Sequence, residues 1–223
     1  RIRVPADRVH VVPLAAGPEF HPAGGGDADD DRAVSEALAL PERFGLYLGG
    51  FDPRKDVPTL LAAWRGVHAA CGAVLVVVGR PPRPGDTLAG TPAEIARRVG
   101  LPRHALRLVG AVDDAALPTL YRAASVFAYP SRYEGFGLPP LEALASGTPV
   151  VACDATSLPE VVGDAGLLVP AGDVGAWTDA LLRVVEDAGL AARLRAAGPA
   201  RAAGFTWQLT AARTRAVFES VTR

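Results

Sequence analysis

Tyr129 to Val151 reads YPSRYEGFGLPPLEALASGTPVV, and few folds can hold that order of residues. The apolar run Val126 to Tyr129 that leads into it is strand-like. Ser131 to Gly137 is a turn with two glycines. Pro139 and Pro140 then open an apolar helical pattern through Leu141, Leu144 and Ala145. Gly147 closes the helix, and Pro149 introduces a second apolar run, Val150 to Ala152. Proline in the first helical turn and glycine just past the last one are the expected punctuation. The stretch therefore predicts strand, glycine turn, helix, strand: a βαβ unit, which requires a parallel sheet.

The turn carries the chemistry. Pro139 and Pro140 have no backbone N–H, so the free amides ahead of the helix are those of Gly135, Phe136, Gly137 and Leu138. Amides at a helix N-terminus bind phosphate and other anions, and glycine lets the backbone approach closely. Two carboxylates flank this nest: Glu134 in the turn and Glu142 on the helix, with seven residues between them. Glu134 falls at the carboxyl end of a strand, where open α/β sheets place ligands. Carboxylates accept hydrogen bonds from hydroxyl pairs. An anion nest between two of them suits a ligand with both phosphate and vicinal diols, a sugar nucleotide. This reasoning leaves open which glutamate takes which diol.

Composition narrows the partners. The 223 residues fit one large α/β domain, or one and a half small ones, with a substantial core; 49% are hydrophobic and the formal net charge is −1. No basic stripe points to nucleic acid, and no apolar run approaches the ~20 residues of a membrane span. The chain has no methionine, begins at Arg1 without a signal-peptide pattern, and is expected to be a fragment. Cys71 and Cys153 lie far apart without metal-like spacing, as reduced core thiols do. Lys55 is the single lysine among 23 basic residues, within the motif DPRKD. A lysine kept amid so many arginines suggests a point charge aimed at phosphate.

Along the chain, Val9, Val11 and Val12 predict a short strand. Gly24 to Asp31, GGGDADDD, reads as a solvated loop rather than a metal cage, because its spacing matches no ligand pattern. A short helix is expected over Asp31 to Leu40. Strands are predicted at Phe44–Gly49, Ala73–Val78, Leu106–Val109 and Gly166–Pro170, and helices at Thr59–Ala69, Pro92–Val99, Val174–Glu186, Leu190–Ala203 and Trp207–Val221. Arg80 to Pro92 is expected to be a loop. Asp113 and Asp114 are candidate caps for the helix carrying Leu117, Leu120 and Tyr121, and Ser157 with Glu160 for a capping box. The fold class that follows is α/β, a Rossmann-like parallel sheet with helices on both faces. His10, His21, His68 and His104 share no motif with a nucleophile or carboxylate and read as surface or linker residues.

SRYEGFGLPPLE, Ser131 to Glu142, resembles the signature of the retaining glycosyltransferases of family 4 (group 1), which have the two-domain GT-B fold. LYLGGFDPRKDVPTLLAAW (Leu46 to Trp64), LVGAV (Leu108 to Val112), SLPEVVGDAGLLVPAGD (Ser157 to Asp173) and FTW (Phe205 to Trp207) are similar to successive blocks of that family's C-terminal domain. The resemblance makes residues 1–40 the end of an N-terminal domain with its linker, and 41–223 the nucleotide-sugar-binding half of a GT-B enzyme. It implies that Glu142 binds the ribose hydroxyls and that Glu134 and Lys55 are the catalytic pair, at the donor sugar and the diphosphate. Arg54 would assist at the phosphates. Gly110, Ala111 and Val112 would lie near the base. Many members carry arginine after the glycine matching Gly49; this chain has Gly50, which leaves Arg54 or Arg132 for the second phosphate contact. The DPRKD variant resembles members that use GDP-mannose or related deoxysugar donors in polysaccharide assembly.

The implied partners are a nucleotide sugar and an N-terminal acceptor domain, with no cofactor and no metal. The implied place is the cytoplasm, at the inner face of the membrane, with peripheral association through the other half. The alternatives are a noncatalytic nucleotide-sugar-binding module and a sugar-phosphate phosphorylase or epimerase of the same fold. A dinucleotide-binding dehydrogenase would need a glycine fingerprint with an acidic residue ~20 positions on, which the sequence lacks.

Overall fold

The computed structural model describes residues 4–24, 27–80 and 90–221. Six strands form one sheet: β1 (Phe44–Leu48), β2 (Val74–Val78), β3 (Leu106–Gly110), β4 (Val126–Tyr129), β5 (Val150–Cys153) and β6 (Gly166–Val169). The helices are α1 (Ala28–Ala37), α2 (Val57–Cys71), α3 (Pro92–Arg98), α4 (Leu117–Ala123), α5 (Leu138–Ala145), α6 (Leu158–Val162), α7 (Val174–Glu186), α8 (Ala188–Ala202) and α9 (Trp207–Val221). All five strand pairings are parallel, in the order β3-β2-β1-β4-β5-β6. That is the doubly wound Rossmann order, in which the direction of winding reverses between β1 and β4. Right-handed crossovers put α2 and α3 on one face and α4, α5 and α6 on the other.

The strands are β-branched and aromatic runs because both faces are covered. β2 (VLVVV), β4 (VFAY) and β5 (VVAC) are buried almost throughout. Gly45 interrupts β1 for a packing reason: a Cβ there would meet the Trp64 ring at 2.2 Å. Trp64, on α2, lies fully buried over the strand, and its Nε1 donates to the Ala73 carbonyl at 3.2 Å. Burying such a side chain is worth roughly 1.5–3 kcal/mol. α7 packs on α2, where the Thr178 hydroxyl donates to the Ala63 carbonyl at 3.2 Å.

Four local expectations differ from the structure. Val9 to Val12 pair with no strand. The acidic stretch is only partly loop: Asp29, Asp30 and Asp31 form the first turn of α1, where carboxylates favour the helix dipole. Asp31 then docks α1 on α4, accepting from Arg122 Nε at 2.9 Å and Thr119 Oγ1 at 2.7 Å. Asp113 and Asp114 make no side-chain cap; a 3-10 turn, Asp114–Ala116, leads directly into α4. Ser157 makes no capping box either, because its hydroxyl is used elsewhere. Most of the loop expected between Arg80 and Pro92 lies outside the described residues; its end, Thr91 with Glu94, forms a capping box for α3.

Candidate functional site

The carboxyl ends of β1 and β4 lie side by side where the winding reverses, and the sequence-predicted residues come from the loops that follow them. After β1, Asp52 accepts from the Arg54 amide and caps the 3-10 turn Pro53–Lys55. Asp56 then adopts a left-handed conformation, φ 46° and ψ 38°. Such strain in a non-glycine residue persists only where the surroundings enforce it. Here the nearly buried Asp56 carboxylate accepts Arg132 Nε at 2.7 Å, and the Arg54 carbonyl accepts the Arg132 amide at 2.7 Å. The two loops are thereby stitched together across the reversal point.

That stitching aims Lys55 at the second loop. Its Nζ donates to Glu134 Oε1 at 2.6 Å and to the Tyr129 hydroxyl at 2.9 Å. Tyr129 donates in turn to Glu134 Oε1 at 2.8 Å, and Nζ lies 5.2 Å from the Tyr129 ring centre. The Lys55 and Glu134 side chains are each only 16% exposed, so this pair is not a solvent-screened surface bridge. Burial pushes the Glu134 carboxyl up, but hydrogen bonds from Lys55, Ser131 and Tyr129 outweigh it and hold the group below the ordinary glutamate range. An ammonium has three donors. With two spent on Glu134 and Tyr129, Lys55 has one N–H left for a ligand.

Glu134 is fixed at its backbone as well. Its amide donates to Thr156 Oγ1 at 3.1 Å, and its carbonyl accepts from the Ser157 hydroxyl at 3.1 Å. Thr156 also has a positive φ, 52°. The third loop, after β5, thus contributes a strained residue to the same cluster. Next come Gly135, Phe136 and Gly137. Gly137 has φ 114°, which only glycine adopts readily, and a Cβ there would meet Leu158 at 2.8 Å. Phe136 is propped edge-on by Phe205, from the link between α8 and α9, with ring centres 5.8 Å apart. α5 begins at Leu138 with prolines behind it. Among the described residues, no protein acceptor engages the amides of Gly135 to Leu138. Beside Gly135 and Phe136 opens a cleft of about 740 Å³ whose lining includes Leu14, Leu209 and Arg213.

Glu142 lies one turn into α5, half-buried, and accepts from the Tyr121 hydroxyl on α4 at 3.0 Å. Burial raises its pKa above the ordinary value; the Tyr121 bond lowers it, while Glu19 and Asp114 add to the rise. The two glutamates therefore carry opposite tendencies. Other predicted residues are less committed. Arg54 is exposed and bonds its own neighbour Asp52 at 3.0 Å. Arg132 is held by Asp56. The Gly50 carbonyl accepts from Tyr47 at 2.5 Å. Gly110 has φ 83° and open space where a side chain would be, and Val112 is half-buried close by in sequence. Among the described residues, no group of three or more His, Cys, Asp or Glu can hold a metal ion, and no helix is long and apolar enough to cross a membrane. His68 and His104, read as unrelated surface residues, meet at the opposite end of α2 from Lys55.

Tyr129, Tyr121, Tyr47, Thr156 and Ser157 were not singled out as site residues by the sequence. The tyrosines occupy apolar positions of strands and helices, and only their hydroxyls reveal the role.

The sequence pattern described as "Glycosyl transferases group 1" matches residues 42–187. The O-antigen chain mannosyltransferase B of Escherichia coli is 36% identical over 213 residues, covering 92% of this chain and 52% of that protein. The sucrose-phosphate synthase structure from Thermosynechococcus elongatus superposes with a TM-score of 0.76 at 32% identity, covering 95% of this chain and 52% of that one. The C-terminal domain of a group 1 family glycosyl transferase from Francisella tularensis shares the fold, with a TM-score of 0.65 at 24% identity over 83% of this chain and 94% of its own. The chain spans about half the length of this mannosyltransferase, and about half that of a phosphatidyl-myo-inositol mannosyltransferase of Mycobacterium leprae.

Proposed function

The chain belongs to the group 1 glycosyl transferases, and from that premise we propose that it is the C-terminal, donor-binding half of a retaining GT-B enzyme of family 4. The observation that carries the reading is the Lys55–Tyr129–Glu134 cluster at the reversal point, beside four unengaged amides and one turn from Glu142. The ligand this site fits is a nucleotide sugar. Its diphosphate takes the amides of Gly135 to Leu138 and the third N–H of Lys55. Its ribose diol takes Glu142, and hydroxyls of its sugar take Glu134. Arg54, Gly50, Gly110 and Val112 border it. As the nucleoside diphosphate leaves, negative charge grows on the phosphates; amides and an ammonium already aimed there lower the barrier electrostatically, with no metal or other cofactor called for.

The intact enzyme would transfer the sugar to an acceptor hydroxyl with retention. Residues 1–40 would belong to the end of the N-terminal acceptor half and its linker, and 41–223 to the donor half. The mannosyltransferase relative suggests a GDP-mannose-like donor and polysaccharide assembly. Such work belongs at the cytoplasmic face of the membrane, with attachment through the N-terminal half.

Calorimetric titration of this chain with UDP, GDP, ADP and dTDP tests the reading. One nucleotide should bind with clear preference, and both Lys55→Ala and Glu142→Ala should weaken it tenfold or more, since hydrogen bonds to charged groups are worth roughly 1.5–3 kcal/mol. Equal affinity of both variants and the parent would sink the assignment.

A further inference from the structure

We propose that His68 and His104 form a two-imidazole site for a divalent transition-metal ion of the zinc and nickel class, remote from the nucleotide site. His68 lies near the end of α2; His104 lies in the 3-10 turn Arg103–Ala105 that leads into β3. Their Nε2 atoms are 3.1 Å apart, with ring planes at 63° and ring centres at 5.0 Å, so the rings are not stacked and their ring nitrogens converge.

The tautomer of His68 follows from its other nitrogen. Nδ1 lies 3.0 Å from the Ala73 carbonyl, which can only accept, so Nδ1 carries the hydrogen and Nε2 presents its lone pair, which accepts from His104 Nε2–H; an ion replaces that hydrogen bond once His104 carries its hydrogen on Nδ1 instead. The same carbonyl accepts the indole N–H of buried Trp64, which fixes it in place. A ligating histidine whose far N–H is held by a backbone carbonyl is the usual arrangement of metal sites. Placed about 2.05 Å from each Nε2, an ion would subtend an angle of about 98° between them, between the octahedral and tetrahedral values. Imidazole donors without carboxylates select zinc, nickel or copper over calcium and magnesium. Among the described residues no third His, Cys, Asp or Glu completes a cluster, so water fills the remaining positions on the exposed His104 side. Bound metal would tie α2 to the start of β3, an edge strand of the sheet.

The test titrates ZnCl2 and NiCl2 into the EDTA-treated 223-residue chain, followed by calorimetry and thermal melting. One ion per chain is expected, with the Tm raised by about 5 °C or more at a hundredfold excess over Kd. His68→Gln and His104→Gln should each abolish the site while melting near the parent in EDTA; the double variant His10→Gln/His21→Gln should keep it. No stoichiometric binding by the parent, or binding that survives either single substitution, overturns the proposal. A nucleotide affinity unchanged by saturating metal is the further expected result, and competition between the two would contradict the assigned location.

Discussion

Glu134 and Glu142 are the same residue type in the proposed site, yet their surroundings pull their pKa values apart, and that difference has a measurable consequence. Glu134 sits below the ordinary range because Lys55, Ser131 and Tyr129 outweigh its burial; Glu142 sits above it because burial prevails over the Tyr121 bond. Ligand hydroxyls donate to the ionised form. As pH falls from 7 toward the ordinary glutamate value of about 4.3, Glu142 protonates first, and nucleotide affinity should fall. Titrations of the parent and Glu142→Gln across this range check it. The variant should bind more weakly at pH 7 and lose the part of the slope that Glu142 supplies; any titration of the ligand's own phosphates appears equally in both. An identical slope in both would show that Glu142 does not report on the ligand. A raised carboxyl also contributes stability below its unfolded pKa that is lost as pH rises through the folded one. Glu142→Gln should therefore melt higher than the parent at pH 7 while binding less. Lys55, Glu134 and Glu142 stand out in the sequence as candidates because a charged residue in a glycine and proline frame has few structural uses. Tyr129 and Tyr121 were not, because a tyrosine in an apolar run satisfies the core pattern whatever its hydroxyl does.

At the scale of elements, the proposed use of the α5 N-terminus requires α5 to be held still, and α8 packs against it. Gly198 on α8 comes so close to α5 that a Cβ would meet the Leu144 carbonyl oxygen at 2.7 Å. Glycine inside a helix ordinarily costs about 1 kcal/mol relative to alanine, so Gly198→Ala would stabilise an isolated helix. In the fold the clash is with backbone, which cannot rotate away, and overpacking costs about 1–3 kcal/mol. The clash wins, and Gly198→Ala should lower the Tm by several degrees and weaken nucleotide binding through displaced α5. The exposed Gly175 on α7 is the control: its Cβ would be 3.5 Å from the Asp173 side chain, so Gly175→Ala should raise the Tm slightly. A Gly198→Ala that melts as high as Gly175→Ala would refute the close-packing account. The strands were legible almost to the residue because their apolar runs are bounded by glycine and proline. Caps were not. The Ser157 and Asp113 patterns suit a capping box or a helix start, but Ser157 is drawn off by the Glu134 carbonyl and Asp113 precedes a 3-10 turn. Those competitors are distant in sequence or differ only in backbone angle, and local spacing registers neither.

Across the whole molecule, the site lies on a seam. β1 and β2 share five register pairs, whereas β1 and β4, which join the two halves of the sheet, share two, Gly45 with Val126 and Leu46 with Phe127. Beyond that short pairing, the halves are joined at their carboxyl ends by Lys55 to Glu134, Arg132 to Asp56 and the Arg132 amide to the Arg54 carbonyl. A parallel sheet with helices on both faces was implied by alternating strands and helices, but no local pattern gives the strand order or states that residues 55 and 134 touch; that follows only once β1 and β4 are neighbours. A diphosphate bound between Lys55 and the amides of Gly135 to Leu138 would add a link across the same seam. Amide hydrogen exchange reads this directly, because local opening sets exchange rates segment by segment. The preferred nucleoside diphosphate should slow exchange in both 53–57 and 134–138. With Lys55→Ala, protection should remain in 134–138 and vanish from 53–57, since the ligand then touches one half alone. Protection confined to 134–138 in the parent would mean that the ligand sits on α5 without reaching Lys55, and the leaving phosphate would then lack the cation that the proposed transfer reaction requires.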